Sequence, residues 1–233
     1  MRTHRRLITA VVGCALAALA LTGCRSAPAA AAYVGSTQIT EQDLDSIIAG
    51  TQVDLPRQDA LRIMVLEKVC QAMQSEQGFA STQVTTEQIA TQYNLPAGAE
   101  FTRLFARMLA CLNGVPAGSG TPTEADMREA YANGSVQGQS LQQFPYDQVK
   151  TVLTEKTLGS AVAQRDSVAK AADQQDVSVN PRYRDLTLQV PISIPVSEQN
   201  QIQSYLTVQL GQTGNDGVVN APTVAATPSV PQS

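Results

Sequence analysis

The chain has 233 residues, of which 43% are hydrophobic, 15% charged and 4% aromatic, with no Trp. That is enough apolar material for the core of one large or two small domains, and it excludes a collagen, a chain-long coiled coil and a wholly disordered polypeptide. The one histidine, His4, lies in a segment that reads as a cleaved leader, so the exported remainder has no imidazole for Ser-His-Asp or Cys-His chemistry or for a His-containing zinc site.

The leader comes first. Met1 to Arg6 carries three Arg and no acid, and Leu7 to Ala20 is an almost unbroken apolar run of 14 residues. A charged start, an apolar stretch and small residues before a break form a secretory signal. The run is shorter than the roughly 20 residues that a membrane-spanning helix needs. Leu21-Thr22-Gly23-Cys24 follows and resembles the lipobox of bacterial lipoproteins. The resemblance implies that residues 1–23 are removed, that Cys24 is diacylated, and that the protein sits lipid-anchored on the extracytoplasmic face of the cell membrane. Two acyl chains hold a protein firmly where one holds it only reversibly. Residues 24–32 read as a tether. Loss of Arg2, Arg5 and Arg6 with the leader takes the formal net charge from −4 to −7. An acidic chain without a basic patch is not a nucleic-acid binder.

Cys14 belongs to the leader, which leaves Cys70 and Cys111 as an even pair in an exported chain. Two readings stand: a disulfide, which the oxidising compartment favours, or two thiols buried in a helical core. A bridge closing a loop of about 40 residues would contribute roughly 3–4 kcal/mol.

Along the exported chain, residues 33–39 read as a short strand or hairpin with a Gly35-Ser36 turn, and Thr40 caps a helix that ends at Gly50. Pro56 opens a long helix to about Gln77, with apolar residues at helical spacing and Gly78 as its stop. Thr85-Thr86-Glu87-Gln88 has the form of a capping box for a short helix to about Tyr93. An apolar helix spans about 97–112. Thr121-Pro122-Thr123-Glu124 has the form of another capping box, with Pro122 at the first helical position, and opens a short helix to about Ala132. Residues 133–143 read as a polar loop, and Pro145 opens a helix expected to run unbroken from Tyr146 to Gln175. Val177–Val179 and Leu186–Val190 alternate as strands do, with an Asn180-Pro181 turn between them. Residues 191–233, with five Pro and only two acids, read as a polar tail, largely disordered, with a weak helix over Ser197–Leu210.

The order of these pieces resembles the N-terminal domain of SurA, shared by the SurA and PrsA exported chaperones. Val34-Gly35-Ser36-Thr37-Gln38-Ile39-Thr40 is similar to the family's Val-Asn-Gly-x-x-Ile-Thr opening, with Gly35-Ser36 taking the turn. Phe144-Pro145-Tyr146-Asp147-Gln148-Val149-Lys150 is similar to the start of its last long helix. Val177 to Tyr183 is similar to the strand that follows, in the form seen in actinobacterial members. The resemblance covers roughly residues 33–190. It implies a mainly α, SurA-like helical domain with a short N-terminal strand paired to a strand after the last long helix. The parvulin domains of SurA and PrsA would fall at residues 133–143. Eleven residues without His cannot hold one, so the resemblance is to the chaperone module alone, without prolyl isomerase activity.

The expected function is a membrane-anchored chaperone or holdase that binds unfolded or extended segments of exported proteins. The alternative is a structural or assembly lipoprotein that holds one specific cell-envelope partner. No catalytic residue, cofactor, metal or small-molecule substrate is expected, and no residue is singled out as a client contact. Met64, Met73, Met108 and Met127 could line an adaptable surface or fill gaps in the core. Glu124, Asp126 and Glu129, the carboxylates that an enzyme would need, follow a helix-start pattern instead. A solute-binding lipoprotein would need alternating strands and helices, which the pattern lacks.

Overall fold

A computed structural model describes residues 30–116, 118–183, 186–197 and 200–213. The leader and Cys24 lie outside the described residues. Among the described residues seven α-helices and eight strands follow in the order β1 (Ala30–Val34), β2 (Thr37–Thr40), α1 (Glu41–Ala49), α2 (Arg57–Gln77), α3 (Thr86–Tyr93), α4 (Glu100–Gly114), α5 (Glu124–Ala132), β3 (Ser135–Val136), β4 (Gln139–Ser140), α6 (Tyr146–Lys150), α7 (Glu155–Gln174), β5 (Ser178–Val179), β6 (Thr187–Pro195), β7 (Gln201–Gln209) and β8 (Gln212–Thr213).

Two sheets flank the helices. One has the order β2-β1-β5-β8 and is antiparallel except for its β5–β8 pair; the other, β4-β3-β7-β6, is antiparallel throughout. This overturns the expected fold class. The protein is mixed α/β, not a mainly α domain with a single strand pair. The pairing of chain ends is one part of the larger arrangement, with Ala32 opposite Val179 and Tyr33 opposite Ser178. Asn180 fixes that seam. Its backbone N–H donates to Ala31 O and its side-chain amide to Ala30 O, both at 2.9 Å. Residues 30–32, assigned above to the tether, are therefore part of the first sheet, and their three Ala side chains are buried. The β1–β2 turn places Gly35 at φ 57 with its N–H on Gln175 O, a left-handed conformation that Gly adopts without a Cβ clash.

The second sheet uses residues expected to be irregular. β6 and β7 form a hairpin with Thr187 opposite Gln209 and Pro195 opposite Gln201. Two features hid it. Pro191 and Pro195 interrupt what would otherwise read as a strand, yet both have the parity of the exposed face, and an edge strand tolerates Pro where its nitrogen points away from the ladder. The buried set Ile202, Ser204, Leu206 and Val208 has a period of two, but Ser204 breaks its apolar run. Ser204 is buried because its hydroxyl donates to Ala130 O at 2.6 Å, which satisfies the polar group that burial strips of water. The supposed polar loop at 133–143 is the β3–β4 hairpin, with Gln137 and Gly138 at φ 50 and 77. Both central residues have positive φ, as in a type I′ turn. β3 then pairs with β7.

The expected unbroken helix over 146–175 is two helices. Thr154 and Thr157 form a capping box that restarts the chain as α7, and the Thr157 hydroxyl donates to Val152 O at 2.7 Å. The break sends Leu153 into the core.

α2 runs through the centre and buries Leu61, Val65, Leu66, Val69 and Met73. α4 lies against it, joined by a Cys70–Cys111 disulfide with a Cα–Cα distance of 6.1 Å. Of the two readings left by the sequence, the structure has the bridge. One turn away sits Glu67, only 2% exposed. Its Oε1 accepts from Gln71 at 2.6 Å and from Arg107 Nε at 3.2 Å, and Lys68 Nζ is 3.1 Å from Oε2. Two polypeptide segments 41 residues apart in sequence are thus joined by a covalent and an ionic clamp at adjacent turns.

Two predictions follow from this packing. Replacing both Cys70 and Cys111 with Ser lowers folding stability by about 4 kcal/mol, the loop-closure entropy of the open chain, and lowers the thermal midpoint by roughly 10 °C. Circular dichroism melts of the two forms check it; equal midpoints would show that the bridge adds nothing. The second concerns Asp126. Burial raises its carboxyl, but Arg165 and the Thr123 N–H outweigh burial and hold it below the ordinary 3.8. Its stabilisation is complete above that unfolded value and is lost as pH falls through the lower folded value. The urea midpoint therefore drops between about pH 5 and about pH 2. Asp126→Asn lowers the midpoint at neutral pH and makes the acid-side drop shallower.

Candidate functional site

The segment after α2 helps to build a surface groove. Gln74 Nε2 donates to Phe79 O at 3.1 Å, and Thr82 N–H donates to Ala110 O at 2.9 Å. The irregular stretch 79–85 is thereby laid along the C-terminal half of α4. Gly114 permits the approach: a Cβ there would stand 2.3 Å from Ala80 O. Thr85 then caps α3, its hydroxyl accepting from Gln88 N–H while Gln88 Oε1 accepts from Thr85 N–H at 2.8 Å. Asn94, at φ 52, ends the helix in the left-handed conformation.

Between α3 and α4 lies an open groove of about 720 Å³. Its apolar side chains are Val84, Ile89 and Leu109; polar ones include Gln83, Thr91 and Asn113, and Glu87 brings the one charge among its lining residues. At the end of α3, Tyr93 stays 45% exposed while its ring tilts over Phe105 at 4.8 Å, and Phe105 meets Phe101 at 6.0 Å. An apolar floor with amide and hydroxyl walls suits an extended peptide. Each amide offers a donor and an acceptor, as a peptide bond does, and neither requires a particular side chain. The capping box and the helical apolar stripe of α4 were legible in sequence. The groove was not, because it depends on Thr82 and Gly114 folding the intervening segment back.

The Met residues considered as an adaptable surface do not form one. Met73 and Met108 are core residues, and Met64 and Met127 are half-buried against the core. They lie outside the groove lining.

The three carboxylates at the start of α5 each have a partner. Glu124 is held by Lys150 Nζ at 2.6 Å and by Arg128 at 3.0 Å, and the Lys150 contact keeps its carboxyl below the usual range. Asp126 closes the α5 capping box and pairs with Arg165 of α7. Glu129 Oε1 accepts from Thr207 N–H at 2.7 Å, capping the edge of β7. A second charged cluster joins the chain ends. Glu41 Oε2 accepts from Tyr183 Oη at 2.9 Å and Arg57 at 2.6 Å, and burial raises the Tyr183 phenol above its ordinary value. Arg57 also pairs with Asp45, and Arg182 lies 3.2 Å from Glu41 Oε1. These groups are consumed in joining helices to strands.

No protein-family model, curated protein or solved structure matches the chain.

Proposed function

We propose that this protein is a holdase-like lipoprotein, anchored through Cys24 on the extracytoplasmic face of the cell membrane, that binds extended or unfolded segments of exported polypeptides. The observation that carries the reading is the α3–α4 groove, open, apolar at its floor and walled by side chains that match a peptide backbone. The leader, the Leu21-Thr22-Gly23-Cys24 motif and the Cys70–Cys111 bridge support an oxidising, extracytoplasmic setting. The resemblance of residues 33–190 to the SurA chaperone module supports the same class of work. In this reading the protein binds without chemistry and has no prolyl isomerase activity.

Binding through the groove is sequence-tolerant. Backbone amides of the client meet Gln83 and Asn113, and an apolar client side chain rests on Val84 and Leu109. Burying one such side chain is worth about 1.5–3 kcal/mol, a tenfold gain or more in affinity.

The test is aggregation of several unrelated unfolded proteins, followed by light scattering with and without the full chain. The expected result is suppression of more than one client at near-stoichiometric ratios. Val84→Asp, which sets a charge on the floor, and Thr91→Trp, which fills the groove, should each weaken suppression roughly tenfold with unchanged circular dichroism. Failure to suppress any client, or full suppression by both variants, would overturn the assignment. Capture of a single envelope protein together with indifference to unfolded clients would point to the assembly-lipoprotein alternative.

A further inference from the structure

The apolar floor of the α3–α4 groove continues past its lining residues. Tyr93 stands one helical turn beyond Ile89 on α3, and Phe105 one turn before Leu109 on α4; residues four apart share a helix face. The exposed Tyr93 ring, tilted over Phe105 at 4.8 Å, therefore extends the strip that Ile89 and Leu109 begin. The walls are set to donate. Gln88 Oε1 already accepts from the Thr85 N–H, which turns the Gln88 amide N–H groups toward a ligand, and Gln83, Gln92 and Asn113 add further amides. An aromatic ring beside amide donors suits a proline-containing peptide. Proline brings a carbonyl but no N–H, and its ring packs on an aromatic face in grooves that recognise polyproline II segments.

The chain carries such a segment. Residues 214–233 follow Thr213, and after Asp216 they hold no charged side chain, four Val and three Pro. Pro228-Ser229-Val230-Pro231 has the Pro-x-x-Pro pattern of polyproline II ligands. We propose that this segment of the chain's own tail docks in the α3–α4 groove, with a proline on Tyr93 and Val230 on Leu109, and that clients must displace it. The inference rests on the reading of the groove as a peptide site and adds its regulation.

Reach allows it. β8 pairs with β5, β5 pairs with β1, and β1 packs on α2. Gln175, just before β5, donates to Glu76 near the end of α2 at 3.3 Å, and the segment that walls the groove starts three residues later. The tail thus leaves a sheet that touches the helix leading into the groove. Fifteen residues take Thr213 to Pro228, an extended span of about 50 Å, against roughly 40 Å across a compact body of this size. A segment tethered in this way meets its site at an effective concentration of about 1 mM. A free-peptide Kd of about 0.1 mM then keeps the groove about nine-tenths occupied. The same tail on a second copy would match that only at protein concentrations of about 1 mM.

Fluorescence anisotropy tests it. A dye-labelled peptide of residues 219–233 is titrated with the full chain and with a full chain carrying Pro228→Ala, Val230→Asp and Pro231→Ala. The peptide should bind the triple variant about tenfold more tightly than the parent, because the variant's own tail no longer competes. Tyr93→Ala and Thr91→Trp, each added to the triple variant, should weaken that binding roughly tenfold with unchanged circular dichroism. Equal affinity for parent and triple variant, no binding to the triple variant, or indifference to both groove substitutions would overturn the proposal. So would a parent that sediments as a dimer beside a monomeric triple variant, which would give the groove to a second copy's tail. The peptide readout needs no client. The expected titrations with freely aggregating clients would keep tail docking and remove the holdase reading; clients protected equally by parent and triple variant, with no peptide bound, would do the reverse.

Discussion

Everything on the α3 side of the molecule depends on how α4 is held to α2. The Cys70–Cys111 bridge and the Glu67–Arg107 pair sit at adjacent turns of the same helix–helix seam. A single link would leave α4 free to pivot about it; two links at adjacent turns define both position and angle. The ionic link is expensive in isolation, since a buried carboxylate loses its hydration. Arg107 and Lys68, half in solvent, and the Gln71 amide offset that loss. α3 packs on α4, and the 79–85 segment hangs from Ala110 and Gly114 of the same helix. The groove is therefore built on the clamped helix rather than on a free loop, and its width is set from the core.

The opposite side is organised by control of strand edges. β7 pairs with β6 on one side and with two residues of β3 on the other. Past β3, α5 takes over. Asn133 Nδ2 donates to Tyr205 O at 3.3 Å, and Glu129 accepts from Thr207 N–H. A helix thus satisfies backbone groups that a further strand would otherwise have to meet. Residues that look reactive in a sequence, a cluster of acids at a helix start, have structural roles: one salt bridge, one capping box, one strand cap. The outermost strand, β6, relies on proline instead. The two prolines deprive the long β6 edge of two backbone donors.

Most helices were legible because their limits are set by local chemistry. Thr40 and Thr85 cap where their side chains reach the third residue on, and Gly78 stops α2 in the left-handed conformation; at α5 the capping box is Thr123 with Asp126, two residues past the expected Thr121. Such signals are read within four or five residues. The second sheet was illegible for the opposite reason. Its β6–β7 pair is local, but what fixes that hairpin in place lies more than 60 residues away, Ser135 with Gln203 and Ser204 with Ala130. A hairpin turn without Asn-Gly, two prolines and one buried serine each resemble loop chemistry until the partner strand is present. The break at residues 151–154 belongs to the first class: Thr154 and Thr157 signal it locally, but the apolar residues on both sides keep a helical rhythm that hides it. The site divides the same way. The α4 stripe and the α3 cap are local; the groove is a tertiary product.

The closure of the chain on itself limits where these surfaces can work. β1 begins at Ala30, so an acylated Cys24 would be joined to the folded body by six residue steps, a reach of at most about 20 Å. That is less than the eight or nine steps implied when residues 30–32 are counted as tether. β8 brings residues 212–213 into the same sheet as β1, so both termini of the described fold leave from one side. If Cys24 carries the proposed anchor, so short a connection would keep the first sheet close to the bilayer surface. In the proposed reading a client of the groove would then be met close to the membrane surface. Reach is the physical constraint that would join an anchor at Cys24 to the groove, and lengthening the segment before Ala30 is the change that would separate them.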